Sequence, residues 1–412
     1  MMRLTALSGL VPDPAEFRNC PPTRPLVSHM PPGPIQAMLG LGDVDKLLGR
    51  MPLNRRMVSV VSQGRRSAAS TYTWADQPSQ PGFAEVVRPD KLTGKLDEGA
   101  TVVLESLHRT WPVIGDLCRR LSYECGLPVS ANAYLTPKAA QGFAHHYDTH
   151  SVLIVQTAGS KTWQLHEPML TDPLEHQPFR PEQLSEEDWT RLRTVTPALE
   201  VTLRPGDTLW IPRGWIHNGF ATDEASLHLS LGFPALTAYW VANELVKRLD
   251  SSKELRAELP WGFARSSQVR QSAIEATIKS LTQALTELTS AEAADQLHDT
   301  YCQYFLEPAH RPVTVSIGLE VEMTTPVHTV AESVIDASRL PDGRLRLHLG
   351  NSILVLDAGG GTAVEQLLAA DSVDPWSARD LVDHHPVAGL SGNDAVELVR
   401  TLLRAGVVRL AS

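Results

Sequence analysis

Residues 146–148 read His146-Tyr147-Asp148, and a second stretch, Pro205-Gly206-Asp207-Thr208-Leu209-Trp210-Ile211-Pro212-Arg213-Gly214-Trp215-Ile216-His217, ends on another histidine. Two imidazoles and a carboxylate make the facial ligand set of a mononuclear non-haem iron site. On an extended strand, residues two apart point to one face. His146 and Asp148 are therefore expected to grip one ion together, with His217 completing the set from a distant strand. Pro205-Gly206-Asp207 and Pro212-Arg213-Gly214 read as tight turns. Turns on both sides suit a ligand that must be held within a fraction of an ångström. The open face of such an ion accommodates a cosubstrate and dioxygen, which points to an oxygenase.

Working outward, short segments bounded by Gly, Pro and Asp read as strands: 130–135, 152–156, 161–165, 199–203, 208–211 and 227–232. This pattern predicts an all-β barrel or jelly roll. Residues 112–126 carry apolar positions at helical spacing, and Gly126 and Pro128 end that helix. Residues 1–100 are Pro-rich, with a helix expected at 44–48 and a strand at 57–61, and are read as packing around a core domain. The stretch 171–194 is a long, acidic insertion, either substrate-facing or a tolerated surface loop.

Beyond residue 235 the pattern turns helical, over 238–249 and 268–288. Too many apolar residues remain there for two helices on one barrel face, so a homodimer through this region is expected. Pro308 and Pro312 mark a boundary. Strands at 345–349 and 353–356, helices at 363–370 and 393–405, and a final strand at 407–410 then suggest a winged helix. From Glu307 onward there are eight arginines, no lysine and fourteen acidic residues. That balance argues against DNA as partner and for a protein-interaction or packing module.

Bulk properties agree with an ordinary globular chain. Its 412 residues allow two or three domains, at 42% hydrophobic and 20% charged content. The net charge of −10 argues against wrapping nucleic acid. Cys20, Cys118, Cys125 and Cys302 form no CxxC pair and read as free thiols of a reducing cytoplasm. No secretory core or bilayer-length apolar run is apparent, so a cytoplasmic protein without membrane association is expected.

Lys161 heads an alternating strand. A lysine pointing into a barrel is costly unless it meets an anion, and the distal carboxylate of 2-oxoglutarate is such an anion. A surface lysine at a strand end is the ordinary alternative.

With these residues in view the chain resembles a known family. Asn132-Ala-Tyr134-Leu-Thr136-Pro, Gln141-Gly-Phe143, His146-Tyr-Asp148, Gln156-Thr-Ala-Gly-Ser-Lys161-Thr-Trp163 and Pro205-Gly-Asp…Trp215-Ile-His217 follow the order seen in JmjC-domain oxygenases, with most likeness to the ribosomal oxygenase branch. The resemblance implies a mainly β fold with α elements: a double-stranded β-helix (cupin, JmjC) over 1–235, a helical dimerisation region over 236–306, and an acidic winged-helix domain over 307–412. It implies Fe(II) on His146, Asp148 and His217, with 2-oxoglutarate and O2 as cosubstrates and Lys161 on the distal carboxylate. Tyr134 and Asn132 would add polar contacts to the cosubstrate. Ser230 is preferred to His228 on the strand after His217, on the view that alternation admits only one of them to the pocket. The implied reaction hydroxylates a protein or peptide side chain, such as Arg or His of a ribosomal protein, releasing succinate and CO2.

Where similar sequences read Asp-His-Asp-Val-Phe after the HxD, this chain reads Thr149-His150-Ser151-Val152-Leu153. His150 is open to three roles: decoy ligand, partner to a ligand, or part of the substrate pocket. His145 is expected to point away. The rival readings are a tailoring hydroxylase of a peptide natural product, a Zn(II) or Mn(II) cupin of other chemistry, and a non-catalytic adaptor. Lys161 speaks against the cupin of other chemistry, which has no need of a buried cation there.

Overall fold

A computed structural model describes residues 5–62, 64–74, 85–288, 290–305, 313–318, 320–350, 352–370, 374–383 and 390–411. The chain divides into two compact units, Met1–Ala235 and Leu236–Ser412.

The first unit contains β1 (Leu26–His29), β2 (Val58–Ser62), β3 (Arg65–Arg66), β4 (Thr101–Leu104), β5 (Ser130–Thr136), β6 (Ser151–Ala158), β7 (Lys161–His166), β8 (Leu199–Leu203), β9 (Asp207–Ile211), β10 (Ile216–Ala221) and β11 (Ser226–Phe233). The larger sheet runs β1-β9-β6-β11-β5-β4-β2-β3 and the smaller β10-β7-β8. Every pairing between these strands is antiparallel.

Alternation along the strands sorts side chains into two layers. Ala131, Ala133, Leu153, Val155, Leu227, Leu229 and Leu231 join one core with Leu7, Leu10, Leu47, Ile114 and Leu121 of the N-terminal and Pro112–Cys125 helices. Val152, Ile154, Leu209 and Ile211 take the other parity on β6 and β9. They pack with Trp163, Leu165 and Leu203 of the smaller sheet. Helices therefore cover the outer face of the larger sheet, and the two sheets share an inner layer. Truncating any one of the fully buried leucines to alanine would cost about 2–5 kcal/mol.

The N-terminal hundred residues do more than wrap this core. They supply β1 beside β9, and at the other edge β2 beside β4 and β3 beside β2. Buried Glu124 accepts the Ala6 and Leu7 N–H groups at 2.8 and 2.9 Å, fixing the first helical turn to the helix Pro112–Cys125. The strand expected at 57–61 is β2, whereas the Pro-rich composition hides β1 and β3, which are only four and two residues long. The insertion contains a helix of its own, Glu186–Thr194, whose Ser185 hydroxyl caps the Asp188 N–H while Asp188 takes the Ser185 N–H.

In the second unit, helices Ala238–Lys247, Ser267–Glu287 and Ser290–Phe305 come first. β13 (Asp336–Arg339), β14 (Leu345–Leu349) and β15 (Ser352–Leu356) form a three-stranded sheet, and β12 (Val327–Thr329) pairs with β16 (Val408–Leu410). Helices Ala358–Ala370, Ala378–Asp383 and Gly392–Ala405 lie between β15 and β16 in sequence and share one core with the sheet. The three-stranded sheet thus precedes the helices, and the strand after the last helix returns to β12. This is the order in which the strands at 345–349 and 353–356, the helices at 363–370 and 393–405 and the final strand at 407–410 were expected. Pro308 and Pro312 lie outside the described residues.

Candidate metal centre

His217 is the second residue of β10, which leaves the Pro212–Gly214 turn. His146 and Asp148 do not lie on a regular strand, contrary to expectation, because β6 begins only at Ser151. Residues 139–146 instead run irregularly beside β10. Ala139 N–H bonds Thr222 O, Gly142 N–H bonds Gly219 O, and His146 and His217 exchange backbone bonds at 3.1 and 2.8 Å. The Gly214 N–H reaches Asp148 O at 3.0 Å, so the second turn is tied to the HxD segment. Backbone pairing, rather than strand alternation, brings the three side chains together.

Their donor atoms all lie within 4.8 Å of one another. Asp148 Oδ2 is 3.7 Å from His217 Nε2. His146 Nδ1 lies 2.8 Å from Ala144 O, and His217 Nδ1 lies 3.0 Å from Trp215 O. A carbonyl only accepts, so each Nδ1 carries the proton and each Nε2 presents its lone pair. That is how metal-binding histidines are commonly oriented. Burial first, and then His146, press His217 below the ordinary imidazole range, against the pull of Asp148. Burial pushes the Asp148 carboxyl up, but His146, His217 and His150 together bring it below its usual value. A neutral ring and an ionised carboxylate are the protonation states a metal requires.

The inner face of the smaller sheet carries the next group. In register, His217 faces Leu165, Gly219 faces Trp163 and Ala221 faces Lys161. Lys161 is 2% exposed, and burial lowers its ammonium to about 7. Its Nζ donates to Thr136 Oγ1 at 3.3 Å and lies 5.1 Å from the centre of the Trp163 ring. Among the described residues no carboxylate pairs with it. Two glycines make room for it: a Cβ on Gly219 would lie 2.9 Å from Lys161 Cε, and one on Gly142 would lie 3.1 Å from Nζ.

Opposite stands the larger sheet. Tyr134 stacks on His228 at 4.8 Å and 2°, and Trp163 meets His228 edge-on at 5.3 Å. Burial holds the Tyr134 hydroxyl's pKa well above its usual value, with a further push from Asp148. Burial and then the Lys161 charge keep His228 neutral. Asn132 faces Ser230 across β5 and β11, and its Oδ1 accepts the Ser106 N–H at 2.8 Å. Alternation does not separate Ser230 from His228, because residues two apart share a face. His228 is the one stacked beside Lys161; Ser230 is half-buried farther along. Thr136, Trp163, Gly142 and Gly219 join the site without an expected role. Thr136 and Trp163 carry a signal, each lying two residues from an expected site residue, Tyr134 and Lys161, on the same strand face.

His145 turns away, its ring 5.4 Å from that of His166. His150 lies against Gly232 and Ser130 and is outside the group of converging donors. The insertion borders the centre: Tyr147 donates to Gln177 O at 3.1 Å, and Arg213 donates to Pro173 O at 3.0 Å. A Cβ on Gly214 (φ +84°) would meet Leu170 O at 2.8 Å, so that close approach requires glycine.

The chain is similar to proteins already described. It is 39% identical over 146 residues to the bifunctional lysine-specific demethylase and histidyl-hydroxylase NO66 of Dictyostelium discoideum, covering 35% of this chain and 27% of that protein. It is 33% identical over 244 residues to the protein of the same name from Drosophila yakuba, covering 55% and 34%. The chain thus spans about a third or less of the length of these curated relatives. The X-ray structure of YcfD from Escherichia coli matches with a TM-score of 0.55 over 98% of this chain and 99% of that one; at 13% identity this is a likeness of fold. The model of the JmjC domain matches residues 110–240. Residues 110–240, which match the JmjC domain, thus form a two-sheet β fold in which His146, Asp148 and His217 converge.

Proposed function

We propose that the chain is an Fe(II)- and 2-oxoglutarate-dependent hydroxylase acting on a protein or peptide side chain. His146, Asp148 and His217 hold Fe(II), and Lys161 binds the distal carboxylate of 2-oxoglutarate. The observation that carries this reading is the pairing of two features in one site. Both ligand histidines have Nδ1 committed to backbone carbonyls, and a buried lysine lacks an acidic partner among the described residues. When bound, iron with 2-oxoglutarate and O2 supplies the oxidising power for C–H hydroxylation, with release of succinate and CO2.

The protein's own residues orient and exclude. Trp163 spans from Lys161 to His217, its ring centre 6.2 Å from that of the histidine, and shields the cosubstrate's aliphatic middle from water. The Tyr134 hydroxyl stays protonated and able to donate a hydrogen bond. Asn132 and Ser230 belong to the same inner face and add polar contacts toward the cosubstrate. No side chain is needed as general base. The insertion, anchored through Tyr147 and Arg213, forms one wall where substrate enters.

The name histidyl-hydroxylase borne by the relatives makes a histidine side chain of a protein the first substrate to try. The chain is expected in the cytoplasm, and no helix among the described residues is long and apolar enough to cross a membrane. Residues 236–306 are proposed to dimerise, because Ile274, Ile278 and Leu285 line one exposed stripe of the helix Ser267–Glu287. Residues 307–412 are proposed as a winged-helix-type module with its larger strand set placed first. Its acidic balance favours a protein partner over DNA.

The decisive assay is succinate release with Fe(II), 2-oxoglutarate and histidine- or arginine-containing ribosomal peptides. Turnover that His217→Ala abolishes supports the reading. Turnover that survives in His217→Ala, or that Zn(II) supports as well as Fe(II), contradicts it.

A further inference from the structure

The second unit contains another group of metal-ligating side chains. His298 and Cys302 lie four residues apart on the helix Ser290–Phe305, a spacing that sets both on one face. His348 comes from β14. Donor atoms of the three lie within 4.8 Å of one another. Cys302 Sγ is 3.5 Å from His298 Nε2, and the two imidazole rings meet edge to face at 4.9 Å. Cys302 and His348 are each 2% exposed.

His348 is the informative member. Among the described residues its buried Nε2 has no hydrogen-bond partner. Its Nδ1 is 3.8 Å from Asp299 Oδ1, beyond hydrogen-bond distance. An unsatisfied buried polar group costs about 1–3 kcal/mol. A bound cation would remove that cost. Sulfur with two imidazoles matches a borderline-soft ion rather than the oxygen-seeking Mg(II) or Ca(II). A tetrahedral Zn(II) with ordinary bonds separates neighbouring ligand atoms by about 3.3–3.6 Å, and the Cys302–His298 distance already has that value.

We propose that His298, Cys302 and His348 bind a borderline-soft divalent cation, best matched by Zn(II), at a site distinct in chemistry from the JmjC centre. A water or the Asp299 carboxylate takes the fourth position. On binding, the S–H bond of Cys302 breaks, its proton leaves to solvent and the thiolate bonds the ion, with no change of oxidation state. The ion then clips the helix Ser290–Phe305 to the sheet β13-β14-β15 and stabilises this unit by mass action.

Titration of the full chain, freed of metal with a chelator, with Co(II) tests this. The JmjC ligand set contains no sulfur, so a thiolate-to-cobalt charge-transfer band in the near ultraviolet reports the second site alone. The expected result is one equivalent giving that band with the strong visible bands of tetrahedral Co(II). Zn(II) should bleach it, and His146→Ala with Asp148→Ala should leave it unchanged. Cys302→Ser should abolish it. Loss of a mere ligand-orienting partner weakens metal binding by about 10–100-fold, so half-buried His298→Gln should weaken Co(II) by about 100-fold or more. Absence of the band from the wild-type chain overturns the proposal whatever the variants do. So does a band that persists at the same midpoint in Cys302→Ser or His298→Gln.

Discussion

The two histidine clusters are built in opposite ways. At His146, Asp148 and His217, each ring is held by the carbonyl two residues back in its own chain, and the two backbones pair directly. At His298, Cys302 and His348, the rings are held by each other and by a thiol, and among the described residues one ring nitrogen is left unpaired. Backbone anchoring preorganises the first cluster before metal arrives, as a site for repeated chemistry requires. The second is a side-chain cluster completed by its ion. Oxygen and nitrogen donors suit an oxygen-activating metal in the first; sulfur suits a structural one in the second.

Removing ligands should expose this contrast most strongly. His146→Ala with Asp148→Ala should abolish Fe(II) binding and succinate release while leaving far-ultraviolet circular dichroism intact, because backbone pairing persists. Retained Fe(II) affinity in that variant would refute the ligand assignment.

Lys161 should matter next. Leaving one partner of a buried ion pair alone costs about 3–5 kcal/mol, so Lys161→Met should raise KM for 2-oxoglutarate by about 100-fold or more. Fe(II) affinity should stay near wild type. An unchanged KM would remove the lysine from the cosubstrate site.

Stability against pH gives a related test. Burial lowers Lys161 to about 7 in the folded chain, whereas an unfolded lysine titrates near about 10.4. Between these values the unfolded state binds more protons, so this group makes stability rise with pH. Below about 7 both states carry the charge, and the folded state bears the full desolvation cost. The metal-free wild type should therefore gain stability relative to Lys161→Met, by a few kcal/mol, between about pH 7 and 10. Equal slopes in denaturant titrations of the two proteins would contradict the burial.

The smallest effect is expected at Gly219. Its added Cβ would press on Lys161 and Trp163, and overpacking of this kind costs about 1–3 kcal/mol. Gly219→Ala should weaken 2-oxoglutarate more than Fe(II), and isothermal titration with each ligand would separate the two.

Much of this arrangement was legible in the sequence where one local rule decides. β8 and β14 fall within the expected residues because alternating, turn-bounded segments admit one reading. The two turns before His217 were equally plain. The HxD segment departs from the expected strand because its geometry comes from a distant partner, β10, and not from its own periodicity. Alternation gives no ground for choosing Ser230 over His228, because residues two apart share a face. Gly142 and Gly219 show their purpose only when Lys161 is seen beside them. Cys302 looked like an ordinary thiol because His348 lies on a strand far along the chain, and nothing local links the two.

The central claim is that His146, Asp148 and His217 hold Fe(II) with 2-oxoglutarate anchored by Lys161. Anaerobic addition of Fe(II) and then 2-oxoglutarate tests it most directly, read as the visible iron-to-2-oxoglutarate charge-transfer band. The wild type should develop the band at stoichiometric Fe(II), His217→Ala should show none, and Lys161→Met should need about 100-fold more 2-oxoglutarate or beyond to reach it. No band in the wild type, or an undiminished band in His217→Ala, would contradict the account.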